Sequence, residues 1–185
     1  TDLPTLILKG SPFKGISIQE LAQQVLSKSK CYTKLPTWFQ TEKIYYPKTV
    51  NIEQTSSEIT AHYKSTLISG GSLIDLTGGF GVDAYFFSKR FDLVTHCEID
   101  EELSEIVSYN VGLLGAKNIG CQNEDGITFL KNTAFHYDWI YVDPSRRNEL
   151  KTKVFKLEDC LPDISIHLET LLLNSNNIMV KLSPF

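Results

Sequence analysis

The spacing of apolar residues changes character near residue 67. Beyond it, short apolar runs alternate with stretches whose apolar side chains recur every three or four positions. The runs are Leu73 with Ile74, then residues 93–97, 118–121, 139–142 and 178–182. Trp139-Ile140-Tyr141-Val142 is near-continuously apolar, as a strand buried on both faces should be. The intervening periodicity predicts a helix ending near Arg90 and another over 101–114. The latter carries the stripe Leu103, Ile106, Val107, Val111 and Leu114 and is closed by Gly115. A short helical piece at 127–131 and a helix from about Asp163 to Leu173 complete the series. Strands alternating with helices predict an α/β domain with a parallel sheet and right-handed crossovers.

Residues 1–66 read differently. Residues 1–16 are punctuated by Pro and Gly and should wrap a surface. Ser17-Ile18-Gln19-Glu20 is a capping box. It predicts a helix to about Lys28, with Ile18, Leu21, Ala22, Val25 and Leu26 on its packed face. Residues 34–39 form a Pro-centred turn with aromatics, and Trp38 is expected in a core or interface more often than against a base. Residues 44–47 should be extended. Thr55-Ser56-Ser57-Glu58 is a second capping box, opening a helix over 59–67 that Ser69-Gly70-Gly71 stops. The boundary between an N-terminal helical subdomain (1–66) and the α/β domain (67–185) is placed here.

The densest chemistry lies in Asp75-Leu76-Thr77-Gly78-Gly79-Phe80-Gly81-Val82-Asp83, a strand running through a glycine turn into a helix start. Such a turn lets backbone N–H groups approach a ligand. Gly79-x-Gly81-x-x-Ala84, with Glu98 about 20 residues on, fits the general dinucleotide fingerprint. Asp75 argues against a pyrophosphate, which a facing carboxylate would repel, and for a ligand carrying ammonium or sulfonium charge. In a parallel sheet, ligands bind beyond the carboxyl ends of the strands. Asp75, Glu98, Asp125 and Asp143 all fall at or just past those ends, so four acids are expected on one rim.

Composition sets the bounds. Of 185 residues, 42% are hydrophobic and 22% charged, an ordinary globular balance. No apolar run approaches the roughly 20 residues of a membrane helix. Cys31, Cys97, Cys121 and Cys160 are widely spaced, so neither a disulfide framework nor a zinc site is indicated. A cytoplasmic protein with no metal and no membrane partner is expected. The net charge of −4 conceals a basic front, with 8 lysines against 5 acids over residues 1–66. Such a front is compatible with nucleic acid and equally with an ordinary solvated surface.

The four ordered motifs resemble those of class I S-adenosylmethionine-dependent methyltransferases. Residues 75–81 resemble the first motif, Glu98 the acid that holds the ribose hydroxyls, and Glu124-Asp125-Gly126 the turn that meets the adenine amine. Asp143-Pro144-Ser145-Arg146-Arg147 stands at the fourth, catalytic motif. Over both halves the chain is similar to bacterial methyltransferases of unassigned substrate in which a THUMP-like domain follows the catalytic one. The resemblance implies a Rossmann-like sheet of order 3-2-1-4-5, S-adenosylmethionine as cofactor and RNA as partner. It places Asp75, Thr77, Gly79, Gly81, Asp83, Glu98 and Asp125 against the cofactor, and Asp143, Pro144 and Arg146 at the transfer end.

Amino-group methyltransferases of this kind use the Asp side chain and Pro carbonyl of the fourth motif to orient a target amine. Asp143 and Pro144 fit, while Ser145 and Arg146 replace the second Pro and the aromatic. A guanidinium plane can stack on a base or clamp a phosphate. The reading is methylation of an RNA base nitrogen. The alternatives are a protein or small-molecule acceptor, a cofactor-binding module without catalysis, and a nicotinamide or flavin enzyme, which the acids disfavour. A C5-pyrimidine mechanism would want a cysteine where Leu182-Ser183-Pro184 stands. Because only five strands are legible and the first residue is not Met, the chain is also expected to be a fragment, its sheet truncated after strand five.

Overall fold

The computed structural model describes residues 10–146 and 160–182, together with Thr5, Ile7, Leu8 and Glu158. Arg147, the lysine-rich loop and Ser183-Pro184-Phe185 lie outside the described residues, as does the side chain of Arg146.

Four helices come first: α1 (Ile18–Lys34), α2 (Pro36–Gln40), α3 (Thr49–Gln54) and α4 (Glu58–Thr66). There follow β1 (Gly70–Asp75), α5 (Val82–Phe87), β2 (Phe91–Cys97), α6 (Glu101–Leu113), β3 (Ile119–Gln122), α7 (Gly126–Asn132) and β4 (Tyr137–Val142). A two-residue ribbon, β5 (Ser145–Arg146) with β6 (Cys160–Leu161), precedes α8 (Ile164–Asn174) and β7 (Ser175–Val180).

The main sheet has the order β3-β2-β1-β4-β7, parallel throughout, which is the order expected for five strands. Among the described residues no strand from the N-terminal part joins its edge beside β7. Leu73 and Ile74 are fully buried on opposite faces of β1, as alternation in a central strand requires. Ile74 packs with Leu130, Ile140, Ile164 and Leu171 beneath α7 and α8, while Leu73 packs with Ala84, Phe87 and Tyr141 beneath α5. The N-terminal helices share a cluster with the sheet's helices: Cys31, Leu35, Trp38 and Ile52 meet Phe80, Val82, Val107 and Val111.

Several local expectations need correction. Helix α1 runs on to Lys34, and Val25 and Leu26 are exposed rather than packed. Its docked face sets polar groups beside the buried Cys31. Gln23, Gln24 and Ser27 bond the carbonyls of Tyr46 and Pro47, because that extended segment has no sheet partner for its backbone. Asn110 treats Tyr45 the same way, bonding both its N–H and its carbonyl. The cap of α4 is Ser57, not Thr55, and Glu58 reaches across to Thr37. Gly70 and Gly71 open β1 rather than stop a helix. Helix α3 was not anticipated. The Ser17 cap and the Gly115 terminus stand as expected, and Asp100 caps α6.

Candidate functional site

Register brings the site together. Asp75 is level with His96 on one side and Tyr141 on the other, so β1, β2 and β4 end side by side. Backbone bonds carry the sheet one step further: Leu76 N–H to Tyr141 O (3.0 Å), Gly78 N–H to Cys97 O (2.8 Å) and Lys181 N–H to Val142 O (2.9 Å). Above these ends opens a cleft of about 1180 Å³, walled by the glycine turn, the segments after β2 and β4, the start of α7, the α3–α4 turn and the ribbon.

The glycine turn is held from below. His96 is fully buried, and its Nε2 lies 3.2 Å from Gly79 O. A carbonyl only accepts, so Nε2 carries the proton, and burial keeps the ring neutral. Gly78 has no room for a side chain, since a Cβ there would lie 2.2 Å from His96 Nε2. Gly81, at φ +74°, would meet Val107 at 2.7 Å. On the far wall, a Cβ on Gly126 would come within 2.4 Å of Leu76 O, so the start of α7 can approach the turn only as glycine.

The acids separate into two groups. Glu98, Asp125 and Asp143 line the cleft. Glu98 accepts from Gly79 N–H and Asp100 N–H, both at 2.9 Å. Asp125 caps α7 through Oδ1. Asp75 is not on the rim. It is 1% exposed, beneath the turn, with Oδ1 accepting from Thr77 N–H at 3.0 Å and Oδ2 unpartnered. Burial pushes its carboxyl up to about 8, and the charge of Asp83 adds to the shift. Thr77 lines the cleft, and its hydroxyl accepts from Asp143 N–H at 2.7 Å, tying the first motif to the fourth. Gly79, Asp83 and Pro144 also line the cleft, whereas Gly81 lies behind it. Arg146 pairs with Cys160 in the ribbon.

Sequence reasoning missed two lysines. Lys181, just past β7, pairs with Asp143 at 2.6 Å inside the cleft. Lys64, from α4, pairs with Asp83 at 2.6 Å in the interior. A charged residue at the carboxyl end of an apolar strand was the available signal for the first. For the second there was none: only the fold shows that Ala61, Lys64 and Ser65 are the buried residues of α4, while the apolar Ile59 and Tyr63 are exposed. Trp38, weighed as a base-stacking group, is 1% exposed and packs edge-on to Tyr85. Burial raises the thiol pKa of Cys97, the wrong direction for a nucleophile. Among the described residues no group of three His, Cys, Asp or Glu could hold a metal ion, and no helix is long and apolar enough to cross a membrane.

No protein-family model and no curated protein sequence matches the chain. Solved structures do. One is a Porphyromonas gingivalis W83 protein provisionally designated a methyltransferase. Its TM-score is 0.88 at 29% identity, over all of this chain and 46% of that one. The present chain therefore spans less than half of that protein's length. Precorrin 8W decarboxylase from Methanobacterium thermoautotrophicum matches at TM-score 0.53 and 14% identity, over 71% of this chain and 66% of its own. A Streptococcus mutans protein, also provisionally designated a methyltransferase and solved with SAH, matches at TM-score 0.47 and 16% identity, over 64% and 65%. The decarboxylase shares only the fold, which by itself names no reaction. With its sheet order, its glycine turn and its likeness to the P. gingivalis protein, the chain has the Rossmann-like fold of class I methyltransferases.

Proposed function

We propose that the chain is an S-adenosylmethionine-dependent methyltransferase that methylates a nitrogen of an RNA base. The observation that carries the reading is the charge of the cleft. Its described lining holds Asp83, Glu98, Asp100, Asp125, Asp143, Glu158 and Asp163 against Lys131 and Lys181. Such a wall repels a pyrophosphate and suits a cation bearing hydroxyl and amine donors. S-Adenosylmethionine fits it on three counts. The glycine turn and Gly126 leave a cradle that any Cβ would fill. Glu98, past β2, has carboxylate lone pairs for a ribose diol, and Asp125 has an oxygen outside its cap for the adenine amine. One carboxylate oxygen of the lining, Asp83 Oδ1, is buried and lacks a donor.

When bound, the cofactor supplies an activated methyl group. The protein's share is placement, which can be worth several kcal/mol, roughly 7–11 in the best-oriented intramolecular cases. Asp143 and the Pro144 carbonyl accept from the target nitrogen and aim its lone pair. Lys181 holds Asp143 from the side, and Arg146 contacts the RNA. The N-terminal helical subdomain, residues 1–66, flanks the cleft through the α3–α4 turn. The enzyme works in the cytoplasm and belongs with the bacterial methyltransferases that a THUMP-like domain follows.

One observation favours a second reading, a protein or small-molecule acceptor. Asp143 is already engaged by Lys181, so the site offers an acceptor and a cation together rather than a bare carboxylate. Labelled methyl transfer to RNA, protein and small-molecule fractions decides between them. Label in RNA as an N-methylated base supports the first reading, and label confined to another fraction overturns it. Asp143→Ala should abolish transfer while leaving affinity for S-adenosylhomocysteine within about threefold, because its role is placement of the acceptor.

A further inference from the structure

Lys64 and Asp83 are among the most buried charged residues described, 7% and 8% exposed. Three donors converge on a single oxygen, Asp83 Oδ2: Lys64 Nζ at 2.6 Å, Ser56 Oγ at 3.0 Å and Tyr141 OH at 3.0 Å. Lys64 also donates to Ser56 Oγ at 2.9 Å and to Tyr141 OH at 2.6 Å, and its Nζ sits 4.9 Å from the Tyr141 ring centroid. The other carboxylate oxygen, Oδ1, is buried and has no partner. Asp83 nevertheless lines the cleft, as does Ser56. A carboxylate held by three donors on one oxygen, with none on the other, is fixed in orientation and lacks a donor.

The strand order says which part of a ligand that donor belongs to. Asp125 lies past β3 and Glu98 past β2, the places proposed for adenine and ribose. An elongated cofactor laid along the sheet in that order brings its amino-acid end to β1 and β4. Asp83 follows the β1 turn, and Tyr141 is in β4 itself. The donor-bearing group of that end is an ammonium, whereas its sulfonium has no N–H to give.

We propose that Asp83 Oδ1 receives the ammonium at the amino-acid end of the cofactor, and that Lys64 is the positioning residue that fixes Asp83 for it. The proposal rests on the methyl-transfer reading above. It assigns to the N-terminal helices, through Lys64 and Ser56, a direct part in how the glycine-turn side of the cleft holds its ligand.

The test is calorimetric titration of the whole chain with two probes: S-adenosylhomocysteine, and its analogue with hydrogen in place of the α-ammonium. The wild-type protein should prefer the first by about tenfold or more, the scale of a hydrogen bond to a charged group. Asp83→Asn should bring that preference to within about twofold by weakening the ammonium-bearing probe alone. Lys64→Met should do the same, and Lys64→Arg should restore part of it. A merely structural lysine would weaken both probes equally. Equal weakening, or an unchanged preference in Asp83→Asn, overturns the assignment. If Lys64→Met fails to melt cooperatively, Asp83→Asn and Ser56→Ala carry the comparison. Wild-type protein that binds neither probe refutes the methyl-transfer reading and this assignment with it. Binding of both with no ammonium preference refutes the assignment alone.

Discussion

Asp75→Asn should make the protein more stable at neutral pH, by an amount that grows with pH. Asp75 is buried beneath the glycine turn, and its carboxyl is pushed from an ordinary 3.8 to about 8, by burial first and by the Asp83 charge second. The Thr77 N–H and Lys64 pull the other way, and Asp143 adds a small upward push. The folded state therefore keeps a proton that the unfolded chain gives up above about pH 4. The stability linked to that proton is complete below the unfolded value and declines as pH rises through the folded one, at about 1.4 kcal/mol per unit. Between pH 5 and pH 7 the decline amounts to roughly 2–3 kcal/mol, a large part of a typical 5–15 kcal/mol of total stability.

Asparagine is neutral at every pH in that range, and its amide oxygen can still accept from Thr77 N–H. The variant therefore resembles the protonated wild type and is spared the decline. Urea unfolding of both proteins at pH 5, 6, 7 and 8, followed by Trp38 and Trp139 fluorescence, isolates the effect, because titrating groups not coupled to Asp75 cancel in the difference. The wild type should already trail the variant by roughly 1–2 kcal/mol at pH 5, and the gap should widen by about 1.4 kcal/mol per unit until it levels off near pH 8. A difference that is flat across the series would show that Asp75 titrates normally, and would remove the argument that its burial raises its pKa.

Two further outcomes follow from the geometry. Gly126→Ala should lower stability by about 1–3 kcal/mol, since its Cβ would lie 2.4 Å from Leu76 O and two backbones must part. Gly120→Ala, with nothing within 4 Å, is the control; thermal melts should separate them by about 2–4 °C per kcal/mol. Glu98→Ala should weaken S-adenosylhomocysteine binding by about 1.5–3 kcal/mol, roughly 10- to 100-fold, in calorimetry, with the fold intact by circular dichroism. Unchanged affinity would remove Glu98 from the cofactor site.

Element type and strand order were legible because they follow from local periodicity and from the handedness of crossovers, neither of which needs a partner to be known. The glycine turn was legible for the same reason. The failures that bear on packing and on the site share a physical source, polar groups whose partners lie far along the chain. Helix α1 was assigned a wholly apolar docking face, yet beside the buried Cys31 it docks through Gln23, Gln24 and Ser27, answering carbonyls about twenty residues away. Asp75 was placed on the rim with the other acids because strand ends were treated as equivalent. Register puts its carboxyl under the turn, and only the packing of His96, Tyr141 and Asp83 around it sets its protonation.

The two lysines carry the same point into the site. Lys64 is 19 residues from Asp83, and Lys181 is 38 from Asp143. Nothing in the spacing pairs them. Each becomes a partner only once the sheet has closed and the N-terminal helices have packed on it. Motif residues fix where acids stand, but lysines from outside the motifs fix which of their oxygens remain free. On Asp83 that selection leaves Oδ1 without a donor, and on Asp143 it leaves Oδ1 beside an ammonium. The first motif therefore offers a lone acceptor, and the fourth an acceptor next to a cation. That difference is why a cationic ligand and a neutral acceptor group can each find a place along one acidic wall.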